Sequence, residues 1–241
     1  MCAKKDYKNK YFSILGDSIS TFTGVSEPKD AVYYDTTRKL ASGIVTVSDT
    51  WWGQVIERLG GKLLVNNSWS GSTVCCNSLY QVPSYGCSDE RTASLGKDGI
   101  EPDVIILFMG TNDWGHGFQV VGSKHVKGDE RNCAIFSNAY QTMLKKLRAN
   151  YPKAEIWCMT LPISCCLKKE SFAFPYCYGG RHISEYCEAI KESAQQYNCR
   201  IVDLYNCGEA YDTIDGFHPN VSGMKTIANT IMVGLERVNI G

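Results

Sequence analysis

"DVIILFMG", residues 103–110, is the stretch from which the architecture follows. Both alternating sets of positions are apolar, with Val104, Ile106 and Phe108 on one and Ile105, Leu107 and Met109 on the other. A strand with one wet face alternates, so a run that is apolar on both sets belongs at the centre of a sheet covered by helices on two sides. Four more runs of strand length accompany Asp103 to Met109: Tyr11 to Gly16, Lys62 to Asn66, Glu155 to Leu161 and Arg200 to Tyr205. Segments of helical period separate them. Trp52, Val55, Ile56 and Leu59 share one face of Trp51 to Leu59, which stops at Gly60-Gly61. Residues 134–149 carry a stripe of Ile135, Phe136, Ala139, Tyr140, Met143, Leu144 and Leu147, ahead of Pro152. Ile183, Tyr186, Cys187, Ile190, Ala194 and Tyr197 form another stripe, and a last one runs from Val221 to Val238 behind Pro219. Strands alternating with helices predict a parallel sheet in a three-layer α/β/α sandwich. Ligands of such sheets bind beyond the carboxyl ends of the strands.

The chain has 241 residues, 44% of them hydrophobic, which suits a single domain over residues 1–241. Lys and Arg number 25 and Asp and Glu 25, so no net field draws the chain to nucleic acid or to an anionic membrane. No run approaches the roughly 20 apolar residues of a membrane span, and "MCAKKDYKNK" lacks the apolar middle of a signal peptide. A cytoplasmic location is the expectation, and a secreted chain without its leader reads the same way. Nothing here sets the oligomeric state. The twelve cysteines show no C-x-x-C spacing and the four histidines no paired ligand spacing, so no zinc site is expected. Cys133, Cys158 and Cys187 fall in apolar runs, where Cys acts as a small buried hydrophobe. The adjacent pairs Cys75-Cys76 and Cys165-Cys166 receive no role, and reduced thiols are expected throughout.

Polar groups gather after the predicted strands: "GDS" at 16–18, "NNSWSGS" at 66–72, "GTND" at 110–113 and "DGFHPN" at 215–220. Together they bring Ser18, Gly71, Asn112, Asp215 and His218 toward one sheet edge. A serine hydroxyl becomes a nucleophile when a base takes its proton, and an imidazole titrating near 6.5 does this at neutral pH. Asp215, three residues before His218, can reach its Nδ1–H and fix the tautomer. Gly71 can present a bare amide, and Asn112 a side-chain NH₂, to a developing oxyanion. Each residue alone also has an ordinary reading: Ser18 as a turn or cap residue, Gly71 as a turn glycine, Asn112-Asp113 as a helix cap, His218 as a surface histidine. Their joint order favours acyl transfer.

With these four blocks in this order, the sequence resembles the SGNH hydrolases, also called the GDSL esterase/lipase family. The resemblance implies a flavodoxin-like sandwich with a five-stranded parallel sheet. It further implies Ser18 as nucleophile, His218 as base, Asp215 as its partner, and an oxyanion hole from the Ser18 amide, the Gly71 amide and the Asn112 side chain. No metal or organic cofactor is implied. Ile19 replaces the Leu of the family name, and no G-x-S-x-G elbow of an α/β-hydrolase is present. Asp17 and Asp113 read as supports for loop amides.

Four long irregular stretches, 19–49, 77–99, 114–132 and 164–181, are the expected walls of a substrate pocket. Trp69, Trp114 and His116 adjoin the motifs and are candidates to line it, as are Phe172, Phe174, Tyr176 and Tyr178, which can equally pack their loop. The expected substrate is a short-acyl or acetyl ester of a small or carbohydrate molecule. The alternatives are a carbohydrate-binding domain without turnover, or thioester hydrolysis or acyl transfer at the same site.

Overall fold

The computed structural model describes residues 6–26, 31–76, 84–120, 132–163, 175–176 and 180–237. Its strands are β1 (Tyr11–Gly16), β2 (Lys62–Ser68), β3 (Val104–Phe108), β4 (Glu155–Met159) and β5 (Arg200–Val202). They pair in parallel in the order β2-β1-β3-β4-β5. The helices are α1 (Lys39–Ser42), α2 (Trp51–Arg58), α3 (Asp89–Ala93), α4 (Thr111–His116), α5 (Phe136–Asn150), α6 (Ile183–Gln196), α7 (Leu204–Cys207) and α8 (Val221–Arg237).

β3 is buried at all five positions, and its side chains divide by period 2 between two cores. Ile105 and Leu107 join Leu15, Ile156 and Cys158 under the apolar stripes of α5 and α6. Val104, Ile106 and Phe108 join Phe12, Ile14 and Trp157 under α2 and α8. This is the flavodoxin-like three-layer sandwich. Cutting Ile106 back to Ala would open a cavity between β3 and its helices at roughly 2 to 5 kcal/mol.

The order of the sheet reverses between β1 and β3, since β2 extends from one and β4-β5 from the other. At such a switch point the two following loops part company and leave a crevice at the carboxyl ends. β1 enters it through Gly16, where a Cβ would lie 2.6 Å from Ser68 Oγ and 2.7 Å from Ser20 Cβ, so that any side chain would force both serines to shift.

Several boundaries differ from the sequence expectation. The run 200–205 divides, because Asp203 accepts the Asn206 N–H and caps α7, so β5 ends at Val202. β4 stops at Met159, and β2 continues to Ser68. Pro219 does not open α8; Asn220 does, with its side chain accepting the Gly223 N–H. Val238 lies outside the described residues, as do Cys165, Cys166, Phe172, Phe174 and Tyr178. The described cysteines, including Cys75 and Cys76, are free thiols. Among the described residues no helix is long and apolar enough to cross a membrane.

Candidate active site

The chain leaves β1 at Gly16 and turns at Asp17, whose carboxylate accepts the Ile19 N–H at 3.0 Å. Ser18 opens a single 3-10 turn, Ser18–Ser20, and is 6% exposed. Its carbonyl accepts both the amide and the hydroxyl of Thr21, so the turn is closed twice. Ser18 Oγ lies 2.9 Å from His218 Nε2.

His218 arrives on a tight loop ahead of α8. The Asp215 Oδ1 accepts the amides of Phe217 and His218 at 3.0 and 2.9 Å, which folds the loop around the carboxylate. The remaining oxygen, Oδ2, lies 2.7 Å from His218 Nδ1. An ionised carboxylate only accepts, so Nδ1 carries the proton and Nε2 is free to accept from Ser18. Burial alone would raise the Asp215 carboxyl. The hydrogen bond and charge of His218, its amide and a phenol outweigh burial and hold the carboxyl well below the ordinary range. That phenol belongs to Tyr33, which donates to Oδ2 at 2.8 Å and stacks on the imidazole with centroids 3.5 Å apart and planes 10° from parallel.

Two further loops carry polar groups at the carboxyl ends of β2 and β3. Trp69 to Ser72 form a β-turn closed by Ser72 N–H to Trp69 O at 3.1 Å. Gly71 occupies its third position with φ +75°, a left-handed value that favours glycine. Asn112, on α4, donates one Nδ2–H to Ser72 O at 2.8 Å and so ties its helix to that turn. The second Nδ2–H is available, and neither the Ser18 nor the Gly71 N–H meets a protein acceptor among the described residues.

Three buried titratable side chains support this frame. Asp113 accepts the amides of Val74 and Cys75 at 2.8 and 2.9 Å, fixing the chain just after the Gly71 turn. Complete burial raises its carboxyl, and those amides oppose the rise. Burial, aided by the charge of Asp113, also pushes Asp17 up to about 7 against the Ile19 amide and Arg91. Arg91, on α3, is 1% exposed. Its guanidinium donates to Gly16 O (3.0 Å), Asn67 O (2.7 Å), Ser72 Oγ (2.8 Å) and Ser84 Oγ (2.8 Å). It thus joins the ends of β1 and β2 to the Gly71 turn, and desolvation brings it down to about 9. Neither Tyr33 nor Arg91 was singled out by the sequence reading, because neither belongs to a motif.

Residues 10–170, well over half of the chain, match the family model of the GDSL-like lipases and acylhydrolases. The chain belongs to this family. Among solved structures, a GDSL-like lipase of Bacteroides ovatus is similar at 27% identity and a TM-score of 0.72, covering 95% of this chain and 99% of its own. A GDSL-like lipase of Bacteroides uniformis matches at 27% identity and 0.69, covering 95% and 96%. A carbohydrate acetylesterase from Sinorhizobium meliloti, at 15% identity, shares the fold with a TM-score of 0.65, over 96% of this chain and 99% of its own. A search of curated proteins returns no match.

In this GDSL-like chain a cavity of about 230 Å³ opens beside Ser18 and His218, lined also by Ile19, Thr111, Asn112, Gly115, His116 and Phe217. His116 therefore faces the cavity, as its position next to the motif suggests. Trp114 does not. It is 1% exposed, its indole N–H donates to Arg181 O, and it lies beneath the cavity in edge contact with Phe217. The helix explains the difference: Asn112 and His116 are i and i+4 on one face of α4, and Trp114 points the other way. Trp69 is also elsewhere, lining a separate cavity of about 740 Å³ along β2 and packing under Arg91. That larger cavity borders neither Ser18 nor His218. Tyr176 is 51% exposed and lines neither cavity. Asp17 and Asp113 hold loop amides, and no group of three potential metal-ligating side chains occurs among the described residues.

Proposed function

We propose that the chain is a serine esterase acting on short-acyl esters, with Ser18 as nucleophile, His218 as general base and acid, and Asp215 as the carboxylate that orients it. The observation that carries the reading is the unbroken relay from Ser18 Oγ to His218 (2.9 Å) to Asp215 (2.7 Å), formed by groups 200 and 3 residues apart in the chain. Ser18 Oγ attacks the ester carbonyl as its proton passes to His218 Nε2. The imidazolium is stabilised by Asp215, and the carbonyl oxygen takes the negative charge. The Ser18 and Gly71 amides and the second Asn112 Nδ2–H are the donors aimed at that oxygen, each worth roughly 3 to 4 kcal/mol in the transition state. Collapse breaks the ester C–O bond, and His218 returns the proton to the departing alcohol. Water then repeats the attack on the acyl-serine, releasing the acid and restoring the hydroxyl. Every proton movement is carried by the chain's own side chains.

The cavity of about 230 Å³ is below the roughly 300 to 1,000 Å³ of sites that enclose drug-sized ligands, so a small acyl group fits it with the alcohol reaching outward. Small molecules and acetylated carbohydrates present such alcohols, and the acetylesterase of S. meliloti shares the fold. The experiment is hydrolysis of p-nitrophenyl acetate, butyrate and octanoate by the wild type and Ser18→Ala. The expected result is preference for acetate and a loss of roughly 10⁴-fold or more in kcat for the variant. Equal activity in Ser18→Ala overturns the assignment; preference for octanoate overturns the short-acyl class.

A further inference from the structure

We propose that Tyr33 is a positioning residue that sets the proton affinity of the relay, its hydroxyl sharing the carboxylate oxygen that His218 uses and its ring stacking on the imidazole. The proposal rests on the reading of Ser18, His218 and Asp215 as the catalytic groups. Tyr33 lies 182 residues from Asp215 in sequence and is fixed to the nucleophile's own turn. Its N–H donates to Thr21 Oγ1 at 2.9 Å, and that hydroxyl donates to Ser18 O at 2.9 Å. One short chain of bonds therefore registers the phenol against the serine, and the phenol in turn registers the histidine and the aspartate.

The two contacts act in opposite senses. The Tyr33 hydroxyl and His218 Nδ1–H both bond to Asp215 Oδ2, so the phenol takes part of the negative charge that would otherwise stabilise an imidazolium. This favours the neutral, basic ring. The stacked π face, by contrast, attracts the imidazolium formed during attack. On the other face of Tyr33 the Arg38 guanidinium lies 4.4 Å from the ring centroid, and its NH1 donates to Tyr33 O. A permanent cation there competes for the same π density and works against the protonated ring. Burial and the hydrogen bond to Asp215 hold the phenol well above its ordinary range, so it stays a donor through neutral pH.

Other polar and titratable groups also face the relay. Asp17 lies beneath Ser18 with its carboxylate on Ile19, and His116 looks across the cavity from α4. Tyr34 donates to Pro219 O and Tyr211 to Phe217 O, both on the backbone of the histidine loop. Asp35 faces Arg38 at 3.6 Å. Tyr33→Phe removes the partner of none of these groups, whereas Arg38→Gln also takes away the cation facing Asp35.

The test is the pH dependence of kcat/KM for p-nitrophenyl acetate, alongside NMR titration of the His218 ring, assigned with a His218→Gln sample. Tyr33→Phe keeps the stack and removes the hydroxyl; the acid inflection and the NMR midpoint both move up by about half a unit or more. Tyr33→Leu removes the ring as well and moves both down again relative to Tyr33→Phe by about half a unit to one unit. Arg38→Gln moves them up. Tyr33 does not line the cavity, so KM stays within about twofold while kcat changes. If Tyr33→Phe, a conservative change, leaves the NMR midpoint at the wild-type value, the proposal is overturned. The NMR arm needs no turnover. An inactive wild type whose midpoint still shifts therefore refutes the esterase reading alone, and an active one with no shift refutes only the role of Tyr33.

Discussion

Replacing Arg91 with Met tests the frame that holds the donors. Met keeps an apolar stem of similar length and removes every donor. Four acceptors lose a partner, but not equally. Gly16 O retains the Trp69 N–H, and the Ser72 hydroxyl retains its bond to Ser84 O. Asn67 O and Ser84 Oγ lose bonds of 2.7 and 2.8 Å from a charged donor. Bonds to charged groups are worth about 1.5 to 3 kcal/mol each, whereas removing a guanidinium that desolvation has brought down to about 9 returns part of its burial cost. The balance is a destabilisation of about 2 to 4 kcal/mol, to be read as a shift in the urea midpoint at unchanged slope. Asp17 loses the positive charge beside it and rises further. Because Ser72 adjoins Gly71, kcat for p-nitrophenyl acetate falls by tenfold or more, up to the roughly 10²- to 10³-fold cost of losing one oxyanion donor outright, while KM changes little. A variant within about 1 kcal/mol of the wild type, with kcat unchanged, would falsify the argument that Arg91 ties the strand ends to the donor turn.

Two other perturbations probe neighbouring supports. Asp113→Ala orphans the buried amides of Val74 and Cys75, at about 1 to 3 kcal/mol each, and should cost about 2 to 4 kcal/mol in urea unfolding together with a loss of kcat; a neutral result would mean the segment after Gly71 is held by other contacts. Asp17 keeps its proton in the native state up to about 7, against 3.8 as the ordinary value, so the native state binds more protons across that window and its stability falls as pH rises through it. Asp17→Asn removes this penalty. Its stability relative to the wild type should grow by roughly 2 to 4 kcal/mol between pH 4 and pH 8, and a difference independent of pH would contradict the buried-carboxyl account.

The sandwich was legible in the sequence because its central element carries a redundant signal: Val104 to Phe108 is apolar on both faces, and only burial under two helical layers satisfies that. The motif-bearing loops were legible because three of them directly follow a strand, the fourth lies between α7 and α8, and each carries a residue type with few other uses in that order. What escaped is of two kinds. The sequence from 114 onward carries no helical stripe, which leaves the direction of Trp114 open; with Thr111–His116 a helix, periodicity turns Trp114 inward and His116 outward. Tyr33 and Arg91 carry no local signal at all. A tyrosine in a long loop and an arginine on a short helix look solvent-facing, and only the topology brings one against Asp215 and the other under Gly16. The division of 200–205 into β5 and α7 was hidden by its apolar character, although Asp203 and Asn206 at cap spacing hold the relevant signal.

A serine activated by His218 reacts with electrophilic probes that an ordinary serine ignores. The direct measurement is covalent labelling by a fluorophosphonate at neutral pH, mapped by peptide mass spectrometry in the wild type, Ser18→Ala and His218→Ala. The wild type should carry one adduct per chain, on the peptide containing Ser18, and neither variant should carry any. An unlabelled wild type, or a single adduct on another residue that persists in Ser18→Ala, would contradict activation of Ser18 by His218.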